Sequence, residues 1–223
     1  MSEPTYHRDL QQGSPEWLAL RCGMITASTM RLLLTPTGKA AENDKARAHL
    51  YELAAQRITG EIEPQYVSDA MLRGYADEIV AREIYREKIA PVAECGFVTR
   101  RVGRATVGYS PDGLVGDDGL IEIKSRAARY QVQTILADDV PAEYLPQLHT
   151  ALLVTGRAWI DFVSYSAGLP LFVRRVEPDD QWRARIADAV STAEARIEVM
   201  VGDFETASRG MIPTDRQERE MVI

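Results

Sequence analysis

Hydrophobic positions change period several times along the 223 residues. From Ser14 to about Ile89 the spacing is helical. Ser14 followed by Pro15 is a cap and a favoured first helical residue, so a helix is predicted through "EWLALRC", stopped by Gly23. "ITASTMRLLL" predicts a second short helix starting at Thr26 or Ser28. Leu50, Leu53, Ala54 and Ile58 predict a helix from about Asn43 to Thr59, closed by Gly60. Ser68 caps a long helix through "DAMLRGYADEIVAREIYREKI", with Met71, Tyr75 and Ile79 on one stripe. The pattern then becomes short and β-rich in "PVAECGFVTR", "RATVGYS" and "GLIEIKS", with "GDDG" as a hairpin turn. Helical spacing returns at about Ala127 to Ala137 and Glu143 to Val154, ended by Gly156. "AWIDFVSY" and "LPLFVRRV" read as strands joined by "SAG". A last amphipathic helix covers about Asp179 to Val201, and a loosely ordered polar tail is expected from about 207. This order predicts an α/β fold, a central mixed β-sheet flanked by helices, as one domain over residues 1–223.

Composition narrows the class. A hydrophobic fraction of 45% and a charged fraction of 26% belong to an ordinary globular chain. No apolar run approaches the roughly 20 residues that span a bilayer, and "MSEPTYHRDLQQGSPEW" has no signal-like apolar stretch. No membrane role and a cytoplasmic location are therefore expected. Cys22 and Cys95 suit a reducing compartment and are too few for a four-cysteine metal site. The net charge of −7 argues against a surface that binds nucleic acid all over, but allows a local basic channel. Bases outnumber acids between Arg21 and Arg47, and acids dominate from Glu177 onward. Solvated helix faces would give the same pattern.

The chemistry concentrates in "SPDGLVGDDGLIEIKSR", Ser110 to Arg126. Strand alternation in "GLIEIK" puts Ile121 and Ile123 on one face, and Leu120, Glu122 and Lys124 on the other. A hairpin through Asp117 and Asp118 brings Asp112 alongside Glu122. Two carboxylates and an ammonium would converge, with the Ile123 carbonyl as a further oxygen donor. Such a set suits Mg²⁺, which uses one or two carboxylates plus substrate phosphate. Lys124 would orient an attacking water or stabilise a charged transition state, which is chemistry for phosphodiester cleavage. An exposed hairpin with an ordinary Glu–Lys pair would read the same way from these residues alone. The EF-hand pattern fails, because Leu114 and Ile123 fall at ligand positions. His149 has no Ser or Cys partner, and His7 and His49 lack metal-type spacing. Trp17, Trp159 and Trp182 read as packing residues.

"PDG…EIK" resembles the signature of the PD-(D/E)XK nuclease superfamily. "QGSPEWLALRCGMITAS", "LRGYADEIVAR" and "YLPQLHTALLVTG" resemble, in order, further motifs of the phage lambda exonuclease or YqaJ-type viral recombinase exonucleases. The match spans about Gln12 to Gly156. The resemblance implies Asp112 and Glu122 as metal ligands with the Ile123 carbonyl, and Lys124 as the catalytic lysine. It makes Glu78 the remaining acid, near a second metal or the attacking water; without it, Glu78 reads as a helix carboxylate pairing with Arg82 at i+4. Gln147 matches the active-site glutamine. Arg21 and Ser28 match positions that hold the 5′-terminal phosphate, and Ser110 is placed to line that pocket.

The implied function is a Mg²⁺-dependent 5′-to-3′ exonuclease on double-stranded DNA ends, with two ions per site and Mn²⁺ as a substitute. It would release 5′-mononucleotides processively and leave 3′ overhangs for recombination beside a single-strand annealing protein. A homotrimeric ring, and a phage or prophage origin in a bacterial host, are implied in the same way. The alternatives are a restriction- or repair-type PD-(D/E)XK endonuclease and a catalytically inactive DNA-binding module. The loops "LTPTGKAAEND" and "EIEPQYV" are candidates for separating strands.

Overall fold

The computed structural model describes residues 2–63 and 68–216. Strand β1 (Thr5–His7) precedes helix α1 (Pro15–Arg21), β2 (Ile25–Thr26), a 3-10 turn (Ala27–Thr29), α2 (Met30–Leu33), α3 (Asp44–Thr59) and α4 (Asp69–Lys88). Four strands follow: β3 (Phe97–Val102), β4 (Ala105–Tyr109), β5 (Gly113–Val115) and β6 (Gly119–Ser125). Then come α5 (Ala128–Ala137), α6 (Leu145–Thr155), β7 (Trp159–Tyr165), β8 (Phe172–Val176) and α7 (Asp180–Ala207). Side chains of Ser14, Asn43, Ser68 and Asp179 accept from amides at Trp17, Ala46, Met71 and Trp182, so four helices start on a satisfied cap. Gly60 and Gly156, with φ of 74° and 70°, close α3 and α6 in the left-handed conformation that side chains resist.

The strands form two mixed sheets, ordered β1-β3-β4-β2 and β5-β6-β7-β8. The parallel pairs are β2 with β4 and β6 with β7; the others are antiparallel. Helix α6 touches β3 and β4 of one sheet and β7 of the other. Every residue from Pro146 to Thr155 is buried, the polar Gln147, His149, Thr150 and Thr155 included. Alternation in β6 follows the sequence expectation. Leu120 joins the larger core with Leu148, Ile160 and Phe162, while Ile121 and Ile123 pack with Ala81 and Tyr85 of α4 and Val163 of β7.

Three features differ from expectation. Strands β1, β2 and β5 are too short to show alternation, so periodicity missed them. Helix α7 extends to Ala207, past the expected Val201. Helix α4 is turned about its axis: the stripe of Met71, Tyr75 and Ile79 is 41%, 57% and 60% exposed. Its inward side carries Asp77, Glu78 and Arg82, with Ala81 and Tyr85. Residues 64–67 of the second candidate loop, and 217–223 of the polar tail, lie outside the described residues. Among the described residues no helix is long and apolar enough to cross a membrane.

At the base of the β5–β6 hairpin a Cβ on Gly119 would lie 2.1 Å from Cζ2 of Trp159. Gly119→Ala should therefore destabilise the fold by about 1–3 kcal/mol, the usual range for overpacking. Urea unfolding should show a lower midpoint at unchanged slope. An unchanged midpoint would mean the indole moves aside freely.

Candidate active site

Glu122 sits mid-strand in β6 and is 2% exposed. A buried carboxylate is tolerated only when its oxygens are satisfied, and three elements contribute donors. Tyr109 at the end of β4 donates its hydroxyl to Oε2 at 2.8 Å. Lys124, two residues along β6, donates to Oε1 at 2.7 Å. Gln147 on α6 donates its side-chain amide to the same Oε1. Burial alone would lower the Lys124 ammonium, but Glu122 and Asp112 outweigh it and hold the group above its usual range. Burial, reinforced by Glu122 and Asp112, raises the Tyr109 hydroxyl well above its ordinary value, so it stays a donor.

Asp112 lies opposite Glu122, as the hairpin register requires: Gly113 pairs with Ile121. Its Oδ2 accepts from the Ile123 amide at 2.6 Å. Burial, then the charges of Glu122 and Glu78, push its carboxyl well above the usual carboxylate range. Glu78 pairs with Arg82, its i+4 neighbour, as a plain helix carboxylate would. It nonetheless faces the same cluster. Burial raises it, Arg82 opposes this, and Glu122 adds to the rise. Asp77 accepts from the Ser125 hydroxyl at 2.5 Å and ties α4 to the end of β6.

Among the described residues no three His, Cys, Asp or Glu side chains form a ready-made metal cage. The donor set still fits a hard divalent cation. Its free acceptors are oxygens, and three mutually repelling carboxylates face two cations, Lys124 and Arg82. Like-charge crowding of this kind is relieved by added positive charge. An ion that keeps its waters needs no closed protein cage.

The residues expected at a terminal phosphate divide. The Arg21 guanidinium stacks on Trp17, 4.0 Å from the ring centroid, and the Trp17 indole N–H donates to the Ser110 hydroxyl at 3.2 Å. Trp17 thus joins Arg21 to Ser110, two residues before Asp112. Arg21 has no carboxylate partner among the described residues, and burial lowers its pKa. Ser28 is exposed in the 3-10 turn, where its hydroxyl meets that of Thr26 at 3.2 Å; no hydrogen bond joins it to Arg21 or Ser110.

Sequence reasoning missed Tyr109 and the linking role of Trp17, and named Arg82 only as the helix partner of Glu78. Tyr109 ends an alternating strand directly before "SPDG", and that position was a usable signal. Trp17 sits one turn before Arg21 in α1, a spacing that allows stacking, but its partner Ser110 is 93 residues away. Asp117 and Asp118 are exposed, as a solvated turn requires.

The two mixed sheets flanked by helices are the fold of PD-(D/E)XK-type nucleases. Residues 16–158 match the YqaJ-like viral recombinase domain, and the chain belongs to that family, making it a nuclease of the lambda exonuclease type. It is similar to an alkaline exonuclease, LHK-Exo, from Laribacter hongkongensis. The two are 35% identical, with 89% of this chain and 100% of that one covered, at a TM-score of 0.78; the same values hold for LHK-Exo in complex with dAMP. A phage-related exonuclease from Haemophilus somnus 129PT shares the fold at 15% identity, covering 81% of this chain and 96% of that one, with a TM-score of 0.58. No curated protein matches the chain.

Tyr109→Phe removes one donor to Glu122 while keeping the ring in the core. Loss of a hydrogen bond to a charged group costs roughly 1.5–3 kcal/mol, so kcat for nuclease activity should fall by about tenfold or more with KM little changed. Unaltered kcat would show that Lys124 and Gln147 suffice to hold Glu122.

Proposed function

We propose that the protein is a Mg²⁺-dependent 5′-to-3′ exonuclease on double-stranded DNA. It degrades the 5′-ended strand processively to 5′-mononucleotides and leaves 3′ overhangs for strand annealing. The observation that carries the end-specific reading is Arg21, a guanidinium without a carboxylate partner among the described residues, held on Trp17, whose indole reaches Ser110, two residues before Asp112. A guanidinium fixed in one plane suits bidentate recognition of a phosphate. That LHK-Exo was solved with dAMP supports a mononucleotide product here.

Asp112, Glu122 and the Ile123 carbonyl would hold Mg²⁺, with Mn²⁺ as a substitute and Glu78 near a second ion. When bound, the ions supply Lewis-acid stabilisation of the charged phosphate. Lys124, anchored on Glu122, places its ammonium where negative charge develops on the scissile phosphate. Gln147 fixes the rotamer of Glu122 through Oε1. Arg21 and Ser110 hold the terminal phosphate, with Ser28 as the remaining hydroxyl of that pocket. A homotrimeric ring around the duplex, working beside a single-strand annealing protein in a bacterial cytoplasm, completes the reading. The net charge of −7 supports DNA contacts confined to local cations.

End-labelled linear duplex with Mg²⁺ should be consumed from the 5′ ends to mononucleotides, while covalently closed circles remain intact. Rapid cutting of closed circles would replace this reading with an endonuclease, and inertness on both would leave a DNA-binding module.

If Arg21 grips the end, Arg21→Ala should erase the preference for 5′-phosphorylated over 5′-hydroxyl ends, measured as the ratio of initial rates. A preference that survives would move phosphate recognition elsewhere.

A further inference from the structure

A second polar cavity, of about 230 Å³, lies at the other end of β6, on the order of 20 Å along the strand from Lys124. It is bordered by Arg100 of β3, Asp118 before β6, His149 of α6, Arg157 after α6, and Asp179 and Arg183 at the start of α7. Arg157 is 8% exposed. Its Nη1 donates to the carbonyls of Gly116 and Gly119 at 2.9 and 2.6 Å, and its Nε to the Tyr6 hydroxyl at 3.4 Å. Arg100 donates through Nε to the Ser2 carbonyl and through Nη1 to that of Leu153, both at 2.7 Å. Among the described residues neither guanidinium pairs with a carboxylate, and Nη2 of each makes no hydrogen bond. Backbone carbonyls orient these cations but leave their charge uncompensated.

His149 borders the same cavity. His149 is 8% exposed, its ring stacks on Trp182 with centroids 5.0 Å apart, and its Nδ1 has no hydrogen-bond partner. That nitrogen is closed off from solvent, so His149 meets the cavity through the rest of its ring. Two carboxylates also border the cavity. Asp179 is committed to capping α7 through the Trp182 amide at 2.8 Å, and Arg183 leans on Asp180 at 3.5 Å. Asp179 keeps its charge while it caps, so the lining sets three guanidiniums, Arg100, Arg157 and Arg183, against two carboxylates, Asp118 and Asp179. The N-terminus of the 28-residue α7 adds its own partial positive charge.

We infer that this cavity is a second anion site that takes a tetrahedral phosphate group, separate from the Arg21 pocket. The phosphate comes from one of three sources: the free ion, a mononucleotide, or a DNA backbone threaded past this end of the sheet. The inference stands whether or not the 5′-end reading holds, because no residue is shared between the two pockets.

The test uses the full chain carrying Arg21→Ala, without divalent ions and with ¹⁵N-labelled histidine. The chain has three histidines, so His7 and His49 serve as internal controls. Inorganic phosphate should move the ring signals of His149 and leave the other two in place. Arg100→Gln with Arg183→Gln should weaken that titration by about tenfold or more, as expected for losing charge-assisted donors. Arg157 is left intact because it clamps the hairpin turn. Unmoved His149 signals, or a titration undiminished in the double variant of a protein with unchanged unfolding midpoint, would overturn the site. The same titration with dAMP and with a short blunt duplex identifies the source as whichever saturates His149 at the lowest concentration.

Discussion

A carboxylate that is 2% exposed organises this molecule. Glu122 can stay buried only because β4, β6 and α6 each deliver a donor to it. Stripping a partner from a buried charge typically costs about 3–5 kcal/mol, so the placement of those three elements is coupled to one side chain. Helix α6 lies against both sheets and so brings Gln147 within reach, with Leu148, Ala151, Leu152 and Val154 buried in the core between them. Its burial from Pro146 to Thr155 is thus both core formation and site assembly. The hairpin turn is held from the other end of the same helix, since Arg157, just past its C-terminus, grips the carbonyls of Gly116 and Gly119.

Helix α4 shows the cost of putting chemistry on an inward face. A structural helix would bury Met71, Tyr75 and Ile79; here those residues point outward, and Asp77, Glu78 and Arg82 turn towards the sheet. Two polar anchors hold that orientation. Asp77 accepts from Ser125 near one end of the face. Near the other, the Tyr85 hydroxyl donates to Asp161 at 2.7 Å, and Arg175 donates to the same carboxylate at 2.9 and 3.0 Å. Glu78 lies between the anchors, so its approach to Asp112 and Glu122 is fixed from both sides. Tyr85 is driven well above its usual range by burial and by Asp161, and it remains a protonated donor.

This inversion also explains what the sequence could reveal. Alternation in β6 correctly separated Ile121 and Ile123 from Leu120, Glu122 and Lys124, because strand faces follow from a fixed period of two. The hairpin that sets Asp112 beside Glu122 was legible for the same reason, and the capping residues Ser14 and Ser68 marked two helix starts. Where local pattern and function conflict, pattern reading fails. The stripe on α4 was visible, but its direction was not, since Asp77, Glu78 and Arg82 had taken the inward face. Strands of two or three residues carry too little periodicity to register. Trp17 depends on a contact with a segment 93 residues away, which a single sequence does not encode as spacing.

Electrostatics follow from the same economy of placement. With a net charge of −7, the protein would be repelled by a polyanion if its charge were spread evenly. It is not: acids of α7 are partly consumed internally, Glu194 by Arg57 at 2.7 Å and Glu198 by Arg104 at 3.6 Å. Arg21, by contrast, is stacked on an aromatic ring and has no carboxylate partner among the described residues. A cation held in that way keeps its field for an incoming anion, because little local countercharge cancels it and partial burial lowers the screening around it. The acidic exterior then disfavours contact along the duplex and leaves such sites as the places where a phosphate gains on approach. Selectivity for where the protein engages DNA thus comes as much from the surfaces that repel as from the few side chains that attract.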